Sequence, residues 1–236
     1  MIKFSLIFPV YNEEKYIDTL FSNIEQMILE QGSKYEFEII VVNDGSTDLS
    51  EQKLKKWKFA KVVTQVNCGK GMAVRNGSKL ATGDYIVVHD ADLEYNPFEL
   101  PKLFKIVEAN PLSLVYGSRY KNPVFPYIRI LPLKNQSLTH SLFNAFLTLI
   151  FLFIHKVFIT DLLTAYKIYP ISFYRSLNLK TTGFETDHEI SISAVKRNLK
   201  IIETPISYTP RNKREGKKIN AVDGLKAILL IFGISK

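Results

Sequence analysis

The sequence predicts an α/β fold with a mostly parallel central sheet and helices on both faces. Two observations carry that prediction. Apolar, β-branched runs alternate with helix-period segments from Phe4 to Tyr116, and polar motifs stand where each run gives way to a helix. Strands covered on both sides read as near-continuous apolar runs, and residues 37–42 and 85–89 are written that way.

Residues 4–9 form the first predicted strand. Tyr11-Asn12-Glu13-Glu14 and a helix to about residue 31 follow, with Ile17, Leu20, Phe21, Ile24 and Ile28 at helical spacing. The second strand, 37–42, ends in Asn43-Asp44-Gly45-Ser46-Thr47-Asp48, a glycine turn followed by helix-capping residues. A helix to about residue 59, a short strand over 61–64 and a helix over 71–81 lead to a strand over 85–89, entered through Gly83-Asp84. The spacing then predicts a helix over 97–109 and a strand over 114–116.

The pattern changes after Gly117-Ser118-Arg119. Pro123, Pro126 and Pro132 interrupt the chain, and residues 137–159 become strongly apolar, with Ser137, Ser141, Asn144, Thr148 and His155 at helical spacing. These polar groups break the run of about 20 apolar residues that a spanning helix needs. Two placements stay open: a buried core helix, or a helix lying in a membrane interface with Lys134 and Lys156 at its ends. Beyond Asp161 the α/β pattern resumes, with a helix over 187–197 and a strand over 200–203. The basic cluster Arg211, Lys213, Arg214, Lys217 and Lys218 precedes an amphipathic tail over 223–232.

Composition narrows the function classes. With 46% hydrophobic residues, ten prolines and eleven glycines in 236 residues, the chain is a folded globule rather than a disordered one. Its lone Cys68 excludes an internal disulfide and a cysteine-rich zinc site and fits a reducing compartment. His89, His140, His155 and His188 lack metal-ligand spacing. Met1-Ile2-Lys3-Phe4 runs directly into a strand, so no signal peptide is expected. The net charge of +8 suits nucleic acid, anionic lipid or phosphorylated substrates.

Asp90-Ala91-Asp92, directly after the strand at 85–89, is the sharpest chemical signal. Open α/β sheets bind ligands at the carboxyl ends of their strands. Residues i and i+2 of extended chain share a side, so these carboxylates can converge on a hard cation such as Mg²⁺ or Mn²⁺. An ordinary turn or helix cap before Pro97 is the alternative reading of the pair. Three companions stand at equivalent junctions: Pro9-Val10-Tyr11-Asn12-Glu13, Asn43 to Asp48, and Gly69-Lys70-Gly71-x-Ala73-x-Arg75.

In this order, the motifs resemble the nucleotide-sugar-binding half of the inverting glycosyltransferases of family two, which have the GT-A (nucleotide-diphospho-sugar transferase) fold. Gly117-Ser118-Arg119, Asp161-x-x-Thr164-Ala165-Tyr166-Lys167, Gly183-Phe184-Glu185-x-Asp187-x-Glu189 and Pro205-Ile206-Ser207-Tyr208, with Arg211 and Gly216-Lys217-Lys218, resemble the dolichyl- and polyprenyl-phosphate mannose or glucose synthases. The likeness covers about residues 3–232. Ala165 departs from it where the family usually has glycine, and Lys134 where relatives tend to carry arginine.

The resemblance implies a single catalytic domain over 1–236, with residues 1–119 binding the nucleotide sugar and 120–236 the acceptor. It implies that Pro9, Tyr11, Glu13, Asp44, Asp90, Ala91, Asp92, Arg211 and Lys217 bind the donor nucleotide. Lys70 and Arg75 either approach it or belong to a solvated helix face. Asp90, Asp92 and Glu94 would hold Mg²⁺ or Mn²⁺ on the diphosphate, and Arg119, Lys134 and Ser137 the acceptor phosphate. The expected reaction moves a hexose from a GDP- or UDP-sugar to polyprenyl or dolichyl phosphate at the cytoplasmic membrane face. No general base is needed for a phosphate nucleophile; with a glycan hydroxyl as acceptor, Asp187 or Glu185 becomes the expected base. Non-catalytic sugar-nucleotide binding is a third reading. Nucleic-acid binding is disfavoured because the basic residues cluster near the expected diphosphate site. A dinucleotide-dependent oxidoreductase is excluded because no Gly-x-Gly-x-x-Gly turn follows the first strand.

Overall fold

The computed structural model describes residues 1–121, 138–211 and 221–232. Its centre is a seven-stranded sheet in the order β3-β2-β1-β4-β6-β5-β7. In chain order these are β1 (Ile2–Val10), β2 (Tyr35–Asn43), β3 (Ala60–Thr64), β4 (Tyr85–Val88), β5 (Leu114–Ser118), β6 (Lys167–Pro170) and β7 (Ile201–Pro205). β6 runs antiparallel to its neighbours β4 and β5, and every other pairing is parallel. The sequence reading did not anticipate β6. At four residues, beginning with a lysine and ending with a proline, it carries too little pattern to announce a strand.

Alternation along β1 builds two cores. Phe4, Leu6, Phe8 and Val10 pack on one side with α1 (Ile17–Gln31) and α4 (Leu100–Ala109). Ile7 packs on the other with Ile40, Val42, Ile86 and Val88, against α3 (Lys70–Leu80) and α7 (Thr186–Lys196). Each side chain of this kind contributes about 1.5–3 kcal/mol when fully buried. The helix α1 buries Ile17, Leu20, Phe21, Ile24 and Met27, close to the face the spacing predicts. By contrast α2 (Ser50–Leu54) stops short of residue 59, and Trp57 and Phe59 fold back onto Phe21.

A third cluster lies beside the start of β7, where Ile201 packs against it. There α5 (Leu138–His155) contributes Leu147 and Phe151 against Ile192 of α7 and Ala227, Leu230 and Ile231 of α8 (Ala221–Ile231). The short helix α6 (Ile171–Arg175) continues directly from β6.

The pairings bring all the motif-bearing junctions to one edge. Val10 pairs with Asn43 and Val88 with Lys167, while Ser118 pairs with Pro205. The carboxyl ends of β1, β2, β4, β5 and β7 therefore share an edge with the amino end of β6. Gly77 lets α3 approach the other face, since a Cβ there would lie 2.6 Å from Ile7 Cγ2 and 3.2 Å from Val42 Cγ2. We expect Gly77→Leu to lower unfolding free energy by about 1–3 kcal/mol through overpacking. A urea midpoint equal to wild type would refute that close approach.

Candidate active site

The turns after β1 and β2 lock together. Asn12 sits at φ 52° and accepts from the Thr47 amide at 2.8 Å, while its own amide donates to Ser46 Oγ at 3.0 Å. The Glu13 amide donates to Ser50 Oγ at 2.9 Å. Pro9 closes the strand opposite Val42, and Tyr11 opens the turn, half-buried. Asp44 is buried and bound to protein: Oδ1 accepts from Gln65 Nε2 at 2.7 Å and the Cys68 amide at 2.8 Å, and Oδ2 from the Gly69 amide at 2.9 Å. It fixes the loop that leads into α3.

Beyond β4, the Asp90–Glu94 turn carries Leu93 at φ 58°, an unfavourable conformation for a bulky side chain. Buried His89 braces it. His89 Nδ1 donates to the Asp90 carbonyl at 2.7 Å, so Nε2 is left to accept from the Tyr166 hydroxyl at 2.6 Å. Burial pushes this imidazole down to about 4, which keeps it neutral in that tautomer.

The acidic residues of the turn are matched by two cations from elsewhere. Lys70, at the start of α3, places Nζ 2.7 Å from Asp90 Oδ1 and 3.7 Å from Asp187 Oδ2. Arg211 donates through Nη1 to Glu13 Oε2 at 2.9 Å and through Nη2 to Asp92 Oδ2 at 2.8 Å. Glu94 faces Tyr208 and Arg211, accepting from the hydroxyl at 2.5 Å and from the Arg211 amide at 2.8 Å. The expected three-carboxylate cage of Asp90, Asp92 and Glu94 is therefore not gathered. No group of three metal-ligating side chains forms among the described residues. Lys70 and Arg211 occupy carboxylate oxygens of Asp90 and Asp92 that such a cage would use, and Tyr208 and the Arg211 amide occupy those of Glu94.

Positive charge is nevertheless in short supply. Burial, with Asp90 and Glu94 nearby, pushes the Asp92 carboxyl up to about 7 despite Arg211. An all-oxygen pair short of cations, Asp90 with Asp92, fits a hard divalent ion whose remaining ligands come from phosphate and water. Ala91 is buried between them.

Asp187 and Glu185 stand at the amino end of α7. Burial works against the Asp187 carboxylate, but Lys167, Lys70 and His188 outweigh it and hold the group below its ordinary value. Glu185 is buried; Oε1 accepts weakly from the Gly183 amide at 3.4 Å, and Oε2 finds no hydrogen-bond partner among the described residues. Gly69 and Gly71 let α3 press against this loop, where Cβ atoms would lie 2.9 Å from the Thr182 carbonyl and 2.0 Å from Thr186 Oγ1. Arg75 donates to the Thr181 carbonyl at 2.6 Å and so anchors the same loop.

Arg119 lies beyond β5 and is forked onto Asp161. Nε and Nη2 donate to the two carboxylate oxygens at 2.7 and 2.8 Å, and the backbone amide adds a third bond at 3.0 Å. Its guanidinium lies 4.9 Å from the Tyr208 ring centre. Nη1 and one Nη2 hydrogen stay outside the fork. Asp161 is itself held by Asn144 of α5 at 2.8 Å, and its amide donates to Glu203 Oε1 at 3.0 Å. The other acceptor residues expected from sequence, Lys134 and Ser137, lie outside the described residues, as does Lys217.

Sequence reasoning missed several residues here. Lys167 is fully buried, its Nζ 3.2 Å from the Leu162 carbonyl and 5.0 Å from the Tyr116 ring centre. His89, Glu203 and Tyr208 were missed as well. Lys167 and Tyr208 stood in motifs of the family resemblance but were given no role there.

Asp161 gives the network a pH signature. Burial alone would raise this carboxyl, but Arg119 and Asn144 hold it below its ordinary value. Such a group stabilises the fold above its unfolded value of about 3.9, and that stability is lost as pH falls through the lower folded value. Asp161→Asn should cost about 3–5 kcal/mol at pH 7 by stranding a buried guanidinium, and should flatten the acid limb of the stability curve. Equal urea midpoints at pH 7 would count against this account.

Comparison with known proteins agrees with this architecture. Residues 5–173 match the family described as glycosyl transferase family 2. A dolichol-phosphate mannosyltransferase of Pyrococcus furiosus is 39% identical over 123 residues, which is 50% of this chain and 34% of that protein. A UDP-N-acetylglucosamine–dolichyl-phosphate N-acetylglucosaminyltransferase of Methanococcus voltae is 29% identical, covering 91% of this chain and 89% of its own length. The fold matches glucosyl-3-phosphoglycerate synthase of Mycobacterium tuberculosis, solved with Mn²⁺, UDP and glucosyl-3-phosphoglycerate. The TM-score is 0.73 at 19% identity, covering 100% of this chain and 81% of that one. Strand-end motifs, sheet order and family match converge: the chain belongs to glycosyl transferase family 2 and carries the GT-A fold.

Proposed function

We propose that this chain transfers a hexose, with inversion, from a GDP- or UDP-sugar to a polyprenyl or dolichyl phosphate at the cytoplasmic face of a membrane. One observation carries the choice of acceptor. The helix α5 buries its polar residues Ser141, Asn144 and Thr148 together with Leu147 and Phe151, and turns a second, apolar face outward. Leu142, Phe146, Leu149 and Phe153 are 53%, 52%, 52% and 70% exposed. An apolar face connected through Asn144 and Asp161 to Arg119 suits a substrate with a lipid tail and a phosphate head. The basic balance of the chain favours an anionic surface. No helix among the described residues is long and apolar enough to cross a membrane, so the reading is of peripheral contact. The names of the Pyrococcus and Methanococcus relatives support a dolichyl-phosphate acceptor.

In this reading Pro9, Tyr11, Glu13, Asp44, Asp90, Ala91 and Arg211 surround the nucleotide diphosphate, and Arg119 receives the acceptor phosphate. The phosphate oxygen attacks the anomeric carbon as the carbon–oxygen bond to the donor diphosphate breaks, and the bonding electrons leave with the nucleoside diphosphate. A phosphate monoester with a second pKa of about 6 is already ionised at neutral pH, so no proton need be removed. Asp187 is poorly suited to removing one from a sugar hydroxyl, since Lys167 and Lys70 weaken it as a base. Its contact with Lys70 fits a role in placing that cation beside the donor. Mg²⁺ or Mn²⁺ held by Asp92 and Asp90 would supply Lewis-acid stabilisation of the departing diphosphate.

The test is incubation with polyprenyl phosphate and a panel of radiolabelled nucleotide sugars, followed by extraction of the lipid phase. Label is expected in lipid for one GDP- or UDP-hexose. It should fall by at least ~10²-fold in Asp92→Ala protein that unfolds at the wild-type temperature. Label confined to water-soluble glycan would move the assignment to a hydroxyl acceptor. Separately, replacing Phe146, Leu149 and Phe153 together by serine should weaken sedimentation with anionic vesicles by about 10-fold or more, given the apolar area lost. Unchanged sedimentation of the folded variant would put the lipid contact elsewhere.

A further inference from the structure

We infer that Asn144 is a positioning residue for the acceptor: through Asp161 it sets the orientation of Arg119, and so links the seating of α5 to the capture of the acceptor phosphate. The inference rests on the reading that Arg119 binds that phosphate. Asn144 is only 1% exposed and makes two bonds that fix its amide. Its Oδ1 accepts from Thr148 Oγ1 at 3.1 Å, one helical turn on, which leaves Nδ2 to donate to Asp161 Oδ1 at 2.8 Å. That same oxygen receives Arg119 Nη2 at 2.8 Å, while Oδ2 takes Nε at 2.7 Å and the Arg119 amide at 3.0 Å. The carboxylate is thus a hinge plate between an arginine on the sheet edge and an amide on the helix.

The other supports of the plate belong to the sheet side. Glu203 of β7 accepts from the Thr160 and Asp161 amides at 2.7 and 3.0 Å, and Ser118 shares a 2.6 Å bond with Thr160. These hold the Asp161 backbone, whereas Asn144 holds a carboxylate oxygen. Loss of the Asn144 amide leaves the aspartate in place but frees its plane to turn, and with it the fork that aims Arg119. Neighbouring Leu142 and Phe146 face outward on the same stretch of helix, so a shift of α5 on its apolar support reaches Arg119 through this amide. The donor side is held by Lys70 and Arg211, and neither contacts Asn144 through a described bond.

The experiment measures initial rates with the full chain, varying polyprenyl phosphate and nucleotide sugar in turn, for wild type, Asn144→Leu and Thr148→Val. Asn144→Leu keeps side-chain bulk and removes both bonds. It should raise the acceptor KM by about 10-fold, the size of losing one hydrogen bond to a charged group. The donor KM and kcat should stay within about two-fold of wild type if the amide acts only on acceptor placement. Thr148→Val should move the acceptor KM the same way by less. A folded Asn144→Leu with an unchanged acceptor KM overturns the inference, as does an equal loss in both KM values, which marks a merely structural role. Should Asn144→Leu fail to fold, Thr148→Val decides alone: a raised acceptor KM supports the inference and an unchanged one overturns it. Wild-type protein that glycosylates no lipid phosphate overturns the underlying reading, and this inference with it.

Discussion

Carboxylates gathered at one buried sheet edge have to be neutralised, and much of this structure follows from how that is done. Glu13, Asp90, Asp92 and Glu94 come from the ends of β1 and β4, and Asp187 joins them from α7. Two like charges 4 Å apart repel by about 4 kcal/mol at an effective dielectric of 20, so the cluster stands only with cations drawn into it. Lys70 serves Asp90 and Asp187, and Arg211 serves Glu13, Asp92 and Glu94. Each cation ties distant parts of the chain together: Arg211 reaches back 198 residues to Glu13 and 119 to Asp92. The pairs are largely shielded from water, so their net contribution to stability is small, but removing either partner would strand the other. They act mainly to specify which segments meet. Matching is also incomplete at Asp92, which suits the proposed anionic donor with its cation.

The parts of this fold legible in the sequence are those where burial leaves a periodic trace. β1, β2 and β4 are covered on both faces and read as apolar runs, and α1 shows its stripe. β6 left no trace because its identity is relational: it is a strand by virtue of pairing with β4 and β5. The site was legible as a set of motifs but not as a set of contacts. Asp44 and Arg75 sit in motifs expected to meet the nucleotide, and the bonds they make to the protein's own backbone could not be read from those motifs. A carboxylate that organises a loop and one that receives a ligand look alike in one dimension. Lys167 was illegible for a different reason. A buried lysine is costly, and it is the structure that shows how this one is accommodated, by the carbonyls of Leu162 and Asp187, the Tyr116 ring and the nearby Asp187 carboxylate.

Helix α5 shows why periodicity fixes the faces of a helix without fixing which one the protein keeps. Ser141, Asn144 and Thr148 mark a polar stripe, and the ordinary expectation turns such a stripe to water. Here the stripe is buried. The deciding partner is Asp161, a carboxylate closed off from water that demands donors from every side. Arg119 supplies three and Asn144 a fourth. Hydrogen bonds to a charged group are worth roughly 1.5–3 kcal/mol each, and leaving such a group unsatisfied costs more. Leu147 and Phe151 are buried along with the stripe, while Leu142, Phe146, Leu149 and Phe153 stay exposed, each forfeiting about 1.5–3 kcal/mol when nothing else covers it. A lipid surface would cover them, so with the proposed lipid acceptor the orientation that satisfies Asp161 would also display the apolar face to that acceptor's own phase. The charge chemistry of Arg119 and the hydrophobic chemistry of α5 are therefore joined at one carboxylate.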